Sequence, residues 1–242
     1  MMSEQAQIDF QQHAREAWPG ECCGIVSGGT YRRLLNVAPD PAAEARVSLA
    51  QWKAVRAEAE VFCHSHTNGC NYPSRADMEA QLAADIPFAL TTTDGQACTP
   101  VSVWGRGAPR PPLLGRPFQH GITDCYEAIR DDFALNDGIE LPSYPRDWMW
   151  WEAGGDLYEQ FFQSAGFAEV AGPDVRPGDC AMITRPGRRS SVICHAGRLK
   201  PQGLMFHHAC RTGGGWQPKS LSELTPVERW RPYIVKWVRY VG

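Results

Sequence analysis

The sequence lacks several features that would assign it a class at once. It has no long basic run, and its net charge is only -3 over 242 residues. It therefore carries no electrostatic footprint for nucleic acid. No apolar segment approaches the roughly 20 residues needed to cross a bilayer, so no membrane span is expected. The opening Met-Met-Ser-Glu-Gln-Ala-Gln-Ile has neither a basic head nor an apolar stretch, which predicts a chain made and folded in a cytoplasm. Nine cysteines, an odd number without framework-like spacing, argue against a disulfide scaffold. Cys22, Cys98, Cys180 and Cys194 lie among apolar neighbours and read as small buried hydrophobes. No internal repeat or low-complexity tract is present. What remains is a composition of 43% hydrophobic and 21% charged residues. The length is enough for one large domain or two small ones, each with its own core.

The informative stretch runs from Val61 to Asp77. Val61 and Phe62 read as the end of a buried strand, on which His64 and His66 point to one face and Ser65 to the other. Pro73-Ser74 reads as a helix start that puts Asp77 in the first turn and aims it back at the loop. Two imidazoles and one carboxylate are the three ligands a catalytic zinc takes, with a fourth position left to water. Two plainer readings stand beside this. Ser74 with Asp77 is close to a capping box that only satisfies helix amides. Cys63, His64, His66 and Cys70 would form a structural zinc knuckle if the strand had already ended.

Along the chain, residues 4 to 18 read as a helix, with strands at 23–27 and 31–37 across a Gly28-Gly29 turn. A helix follows at 48–60, then the histidine strand, a helix at 74–84, and strands at 88–92 and 101–104. Glu21 falls just before the first strand, within reach of a neighbouring strand end. Gly105 to Pro117 holds four prolines and three glycines, the composition of a semi-rigid linker. The expected domains are 1–105 and 118–242, joined by a linker at 106–117.

Beyond the linker, Tyr126, Ile129 and Phe133 lie at helical spacing, with Thr123 or Asp124 as N-cap. Cys125 then sits in the first turn, where the macrodipole favours thiolate over thiol. The plainer reading is a half-buried structural thiol. Cys180 to Thr184 and Ser191 to Leu199 read as strands, followed by a turn at Lys200-Pro201-Gln202-Gly203 and a returning strand from Leu204 to His208. A three- or five-residue hairpin loop would pair His195 with His207, and a two- or four-residue loop with His208. A base held by a third group beside a low-pKa thiol is the arrangement for acyl transfer. Trp148, Trp150 and Trp151 would line a groove there, or simply pack in a core.

Glu21 in Pro-Gly-Glu-Cys-Cys-Gly-Ile-Val, with His64-Ser-His66, seven residues, Ser74, two residues and Asp77, resembles the JAMM motif of the JAB/MPN zinc metallopeptidases. One departure is Thr67, where that family commonly has proline. The resemblance implies His64, His66 and Asp77 as zinc ligands, Glu21 as general base and Ser74 as oxyanion donor. Asp124-Cys125, Gly178-Asp179 before a strand, and His195-Ala-Gly with a second histidine twelve residues on are similar to the NlpC-type cysteine endopeptidases. That implies Cys125 as nucleophile, His195 as base and His207 as orienting residue. Here the departure is Arg198 in a strand that is usually apolar. A competing alignment sets Ser191-Val192-Ile193 on that strand and removes the base.

The order of the two resembles the tail assembly protein K family of lambda-like phages. It implies an α+β chain of two domains. The first is a JAB/MPN-like mixed sheet with flanking helices, and the second an NlpC/papain-like helix with an antiparallel sheet. It also implies Zn2+, other phage tail-tip proteins and bacterial peptidoglycan as partners, and a protein of the host cytoplasm during assembly or of the virion tail tip. The alternative is a structural tail-tip component with one or both sites inactive.

Overall fold

The computed structural model describes residues 2–184, 192–210 and 220–242. The fold is α+β, and contacts divide the chain into two compact units, Met1–Pro109 and Arg110–Gly242.

In the first unit, Ser3 caps helix α1 (Glu4–Ala17) by accepting from the Ala6 amide, and Ala6, Phe10 and Ala14 form its buried stripe. Strands β1 (Cys23–Ser27) and β2 (Thr30–Leu34) form a two-residue hairpin. Both turn residues, Gly28 and Gly29, have positive φ, as a turn that matches strand twist requires. Helix α2 (Leu49–Val55) is shorter than the sequence predicts, and β2 stops at Leu34 rather than Val37. Strand β3 (Val61–His66) runs antiparallel to β1 and parallel to β4 (Phe88–Thr92). A parallel pair needs a crossover, and helix α3 (Arg75–Ala84) supplies it. Strand β5 (Ser102–Trp104) completes the order β2-β1-β3-β4-β5.

In the second unit, helix α4 (Cys125–Asp137) begins at the Asp124 N-cap and ends at Gly138, whose φ of +69° is open to glycine. Ile129 and Phe133 of its apolar stripe are buried against Phe167, Met182, Ile193 and Val238. Helix α5 (Leu157–Phe161) follows. The antiparallel sheet has the order β10-β9-β8-β7-β11-β6. Its strands are β6 (Phe167–Val170), β7 (Cys180–Thr184), β8 (Ile193–Lys200), β9 (Leu204–His207), β10 (Glu223–Pro226) and β11 (Ile234–Tyr240). Strands β6 and β10 and helix α5 have no clear periodic signal.

Residues 115–117 are held by this unit. The Gly115 amide donates to the Ser222 carbonyl, and buried Arg116 donates to Asp131 at 2.6 Å.

Hairpin β8–β9 corrects one expectation. Its connection is three residues, Pro201–Gly203, but this sets Lys200 opposite Leu204 and therefore His207 opposite Gly197, not His195. His207 still shares a face with His195, displaced two residues along the strand. Between β7 and β8, Ile183 pairs with His195 and Thr184 with Ile193, so Cys194 is a bulged residue.

Candidate functional sites

In the first unit, alternation along β3 buries His64 and His66 on one face, while Cys63 packs on the other with Cys22, Val61 and Ala89. The capping box at α3 turns Asp77 toward both imidazoles. His64 Nε2 lies 3.3 Å from His66 Nε2 and 3.2 Å from Asp77 Oδ1, and His66 Nε2 lies 3.3 Å from Asp77 Oδ2. Donors held at about 2.0–2.1 Å around a tetrahedral zinc would be about 3.3 Å apart. The two nitrogens meet that spacing, and each meets it with a different oxygen of Asp77, so the carboxylate could close the site through either oxygen. The other nitrogen of His66 faces the Cys70 carbonyl at 3.0 Å, which leaves Nε2 as the lone-pair nitrogen. That carbonyl also accepts from the Thr92 hydroxyl at 2.8 Å. Cys70 thus contributes its backbone. Among the described residues, only His64, His66 and Asp77 group as metal ligands.

Electrostatics at this cluster run against burial. Asp77 is desolvated, yet the two imidazoles hold its carboxyl far below the usual carboxylate range. Burial pulls His66 down, but its hydrogen bond to Asp77 and the charges of Asp77 and Glu21 raise it overall. Glu21 reaches the same face because the register Cys23↔His64 extends back through a Ser65 amide to Cys22 carbonyl bond. Its carboxyl is buried, and desolvation, with the nearby charges of Asp77 and Glu44, pushes its pKa up to about 7 against the pull of His66. A carboxyl poised there can take and return a proton near neutrality. Ser74 Oγ donates to Asp77 Oδ2 at 2.7 Å and accepts from the Asp77 amide. It caps the helix and orients the carboxylate at once.

In the second unit, Cys125 and His195 line one cavity of about 160 Å³. His195 Nε2 faces His207 Nδ1 at 3.2 Å. His208 turns elsewhere, packing on Phe118 and facing the Ser220 carbonyl. Burial, with the neighbouring imidazoles, lowers His195 well below its usual value. Burial opposes the thiolate expected from the helix start. Desolvation and the adjacent Asp124 carboxylate push the Cys125 thiol up to about 12, against opposing contributions from Tyr158 and Arg146. Both shifts favour the neutral thiol and imidazole over an ion pair. Of the cysteines read as buried, Cys22 and Cys180 are, whereas Cys98 and Cys194 are half-buried. Ser191, the alternative base position, lies outside the described residues.

Two residues beside this cavity, Tyr158 and Arg146, are not apparent from sequence. The Tyr158 hydroxyl lies 3.2 Å from Cys125 Sγ. Buried Arg146 donates to Asp124 Oδ2 at 2.6 Å and to Glu127 at 3.2 Å, which fixes the N-cap beside the thiol. Trp150 and Trp151 line the cavity, while Trp148 packs on Phe118, His120 and Trp151. Arg198 has a structural partner: its Nη1 donates to Asp132 of α4 at 2.9 Å. Tyr158, Arg146 and Arg198 lie 22 or more residues from Cys125, Asp124 and Asp132, a separation at which no spacing rule operates.

The Prok-JAB family, prokaryotic homologs of the JAB domain, matches residues 3–103. Among solved structures, a Staphylococcus aureus NLP/P60-family lipoprotein-like protein is 14% identical, with a TM-score of 0.34. That match covers 54% of this chain and 38% of the other. A Bacillus cereus NlpC/P60-family protein is 12% identical with a TM-score of 0.36, covering 96% of this chain and 67% of the other. Neither likeness bears on the reading of the sites. The tail tip assembly protein K of Escherichia phage N15 is 28% identical over 225 residues, 86% of this chain and 89% of that protein. Its counterpart in Escherichia phage lambda is 32% identical over 167 residues, 67% of this chain and 76% of that protein. With a JAB-type unit leading the chain and this identity carried across most of a relative's length, the protein belongs to the tail tip assembly protein K family.

Proposed function

We propose that this protein is a tail-tip assembly hydrolase with two peptidase sites, a zinc site in the first unit and a thiol site in the second. The observation that carries the reading is the His64–His66–Asp77 triangle with a near-neutral buried Glu21 on the same face. Zinc, when bound, supplies Lewis acidity and acidifies a water ligand. Glu21 accepts the proton of the attacking water and returns it to the leaving amine. Asp77 is kept ionised by the imidazoles. Ser74 would donate to the oxyanion only by releasing its bond to Asp77.

At the second site, the Cys125 proton passes to His195 as sulfur bonds to the substrate carbonyl carbon. The amine then leaves with the proton from His195, and water hydrolyses the thioester. His195 Nε2 is taken by His207, so Nδ1 is the nitrogen left to serve the thiol. The proposed substrate is the stem peptide of bacterial peptidoglycan, cut at infection from the virion tail tip. The first site would act on a tail protein in the host cytoplasm during assembly. Purified peptidoglycan and zinc analysis test the two halves separately. Turnover abolished by Cys125→Ala but not by chelation supports the thiol assignment, and chelator-sensitive wall cleavage overturns it. The second reading is a structural component with an idle second site, which the burial of the Cys125 thiol beside the Asp124 carboxylate favours. It predicts no turnover by the wild type.

A further inference from the structure

The His195–His207 pair does not end at His207. His207 Nε2 lies 2.9 Å from the Thr225 hydroxyl, and the Trp230 indole donates to that same oxygen at 3.1 Å. Thr225 and His207 are buried, and the Trp230 ring packs at 5.2 Å from His195 and 4.7 Å from His207. Thr225 is placed by strand pairing: Glu223 pairs with His207, and two residues on, Thr225 points to the same face of β10.

Taking the thiol site as a Cys-His pair, we propose that Thr225, held by Trp230, is the positioning residue that sets the proton arrangement of His207 and through it of His195. Two arrangements satisfy the chain. In one, the Thr225 hydroxyl donates to His207 Nε2, and His207 Nδ1–H donates to His195 Nε2. His195 then carries its proton on Nδ1 and cannot take one from the thiol. In the other, His195 Nε2–H donates to His207 Nδ1, and His207 Nε2–H donates to Thr225. His195 Nδ1 is then a free lone pair. After proton transfer the His195 imidazolium must donate through Nε2, so only the second arrangement serves it. The Glu223 carboxylate, with Oε1 3.9 Å from His207 Nε2, favours the proton on that nitrogen, and the Thr225 hydroxyl then accepts it. Trp230 Nε1–H, a donor only, occupies one lone pair and fixes where the oxygen sits.

The test compares Thr225→Val with Thr225→Ser in the full-length protein. Histidine ring-nitrogen NMR reads the arrangement without the natural substrate, and kcat and KM on purified peptidoglycan read its consequence. The serine variant should keep a single His207 arrangement and wild-type turnover. The valine variant should show mixed His207 tautomers and a loss of about tenfold in kcat with KM little changed, part of the acceleration a correctly protonated base contributes. A threonine that only packs would lower thermal stability and leave the tautomers and kcat unchanged, and that result overturns the proposal. Cys125→Ala separates the readings. If it still cleaves peptidoglycan, the thiol assignment falls, whereas wild-type tautomers and kcat in Thr225→Val remove only the positioning role.

Discussion

Arg198 on β8 donates from Nη1 to the fully buried Asp132 carboxylate on α4 at 2.9 Å. The pair joins the strand carrying His195 to the helix that begins at Cys125. Lys200 reaches the same carboxylate at 2.6 Å, and Arg198 also pairs with Asp137 at 2.6 Å and lies over the Phe133 ring. An arginine that breaks an apolar strand pattern is thereby a cross-link between the two elements of the thiol site. Breaking a buried pair costs about 3–5 kcal/mol, and the retained Lys200 keeps the loss near the lower figure. Arg198→Met should therefore destabilise the second unit by roughly 3 kcal/mol in denaturant unfolding. Asp132→Leu added to it should recover part of that loss, since no carboxylate is then left buried. A double variant no more stable than the single would show that the pair is not the source.

The metal cluster makes a compositional prediction. Alanine at His64, His66 or Asp77 should abolish stoichiometric zinc in the purified protein, because each supplies a ligand to a cluster of three. Glu21→Ala should retain zinc and lose peptidase activity. Metal lost instead from Cys63→Ala and Cys70→Ala would revive the knuckle, which the packing of Cys63 on the opposite face argues against.

Much of this was legible in sequence because the rules involved are local. Alternation put His64 and His66 on one face, and the capping residues of α3 fixed where Asp77 points. The α4 stripe and its Asp124 cap were equally local. The partner of His195 was left open between His207 and His208, since one residue of loop length changes the face. The burial of Cys125 was illegible for a different reason. A helix terminus contributes modestly, roughly 0.3–1 kcal/mol, whereas burial beside Asp124 is set by segments far apart in the chain. Arg146, Tyr158 and Thr225 come from such segments.

A fragment from Arg110 to Gly242 should fold alone. Arg110 donates to Asp131 at 3.1 Å and Arg116 to the same carboxylate at 2.6 Å, so both arginines belong with the second unit. Starting at Phe118 instead would leave Asp131 without either partner. The longer fragment should unfold cooperatively in a calorimeter and the shorter one at lower temperature. Equal midpoints would show that the arginines contribute nothing.

Cys125 should react with iodoacetamide slowly at pH 7 and faster as pH rises toward 12, the profile of a buried thiol rather than of a preformed ion pair. His195→Ala should leave that slow neutral-pH rate nearly unchanged, because at rest the imidazole is neutral. It should still abolish turnover, which requires the base. Fast alkylation at pH 7 that is lost in His195→Ala would establish a resting ion pair instead.

Glu21 links the first site to stability. Its folded pKa of about 7 lies above the ordinary 4.5, so the folded state holds the proton more tightly than the unfolded chain. The stabilisation from the protonated carboxyl is complete below pH 4.5 and is lost as pH rises through 7. Over the full window this amounts to an order of 3 kcal/mol, from 2.5 units between 4.5 and 7. Glutamine mimics the neutral carboxyl and does not titrate. In chelated protein, Glu21→Gln should match the wild type at pH 4.5 and become the more stable of the two by pH 8, as followed by thermal unfolding. Parallel pH dependence in the two proteins would mean that Glu21 ionises without penalty, and it would no longer be suited to act as a base near neutrality.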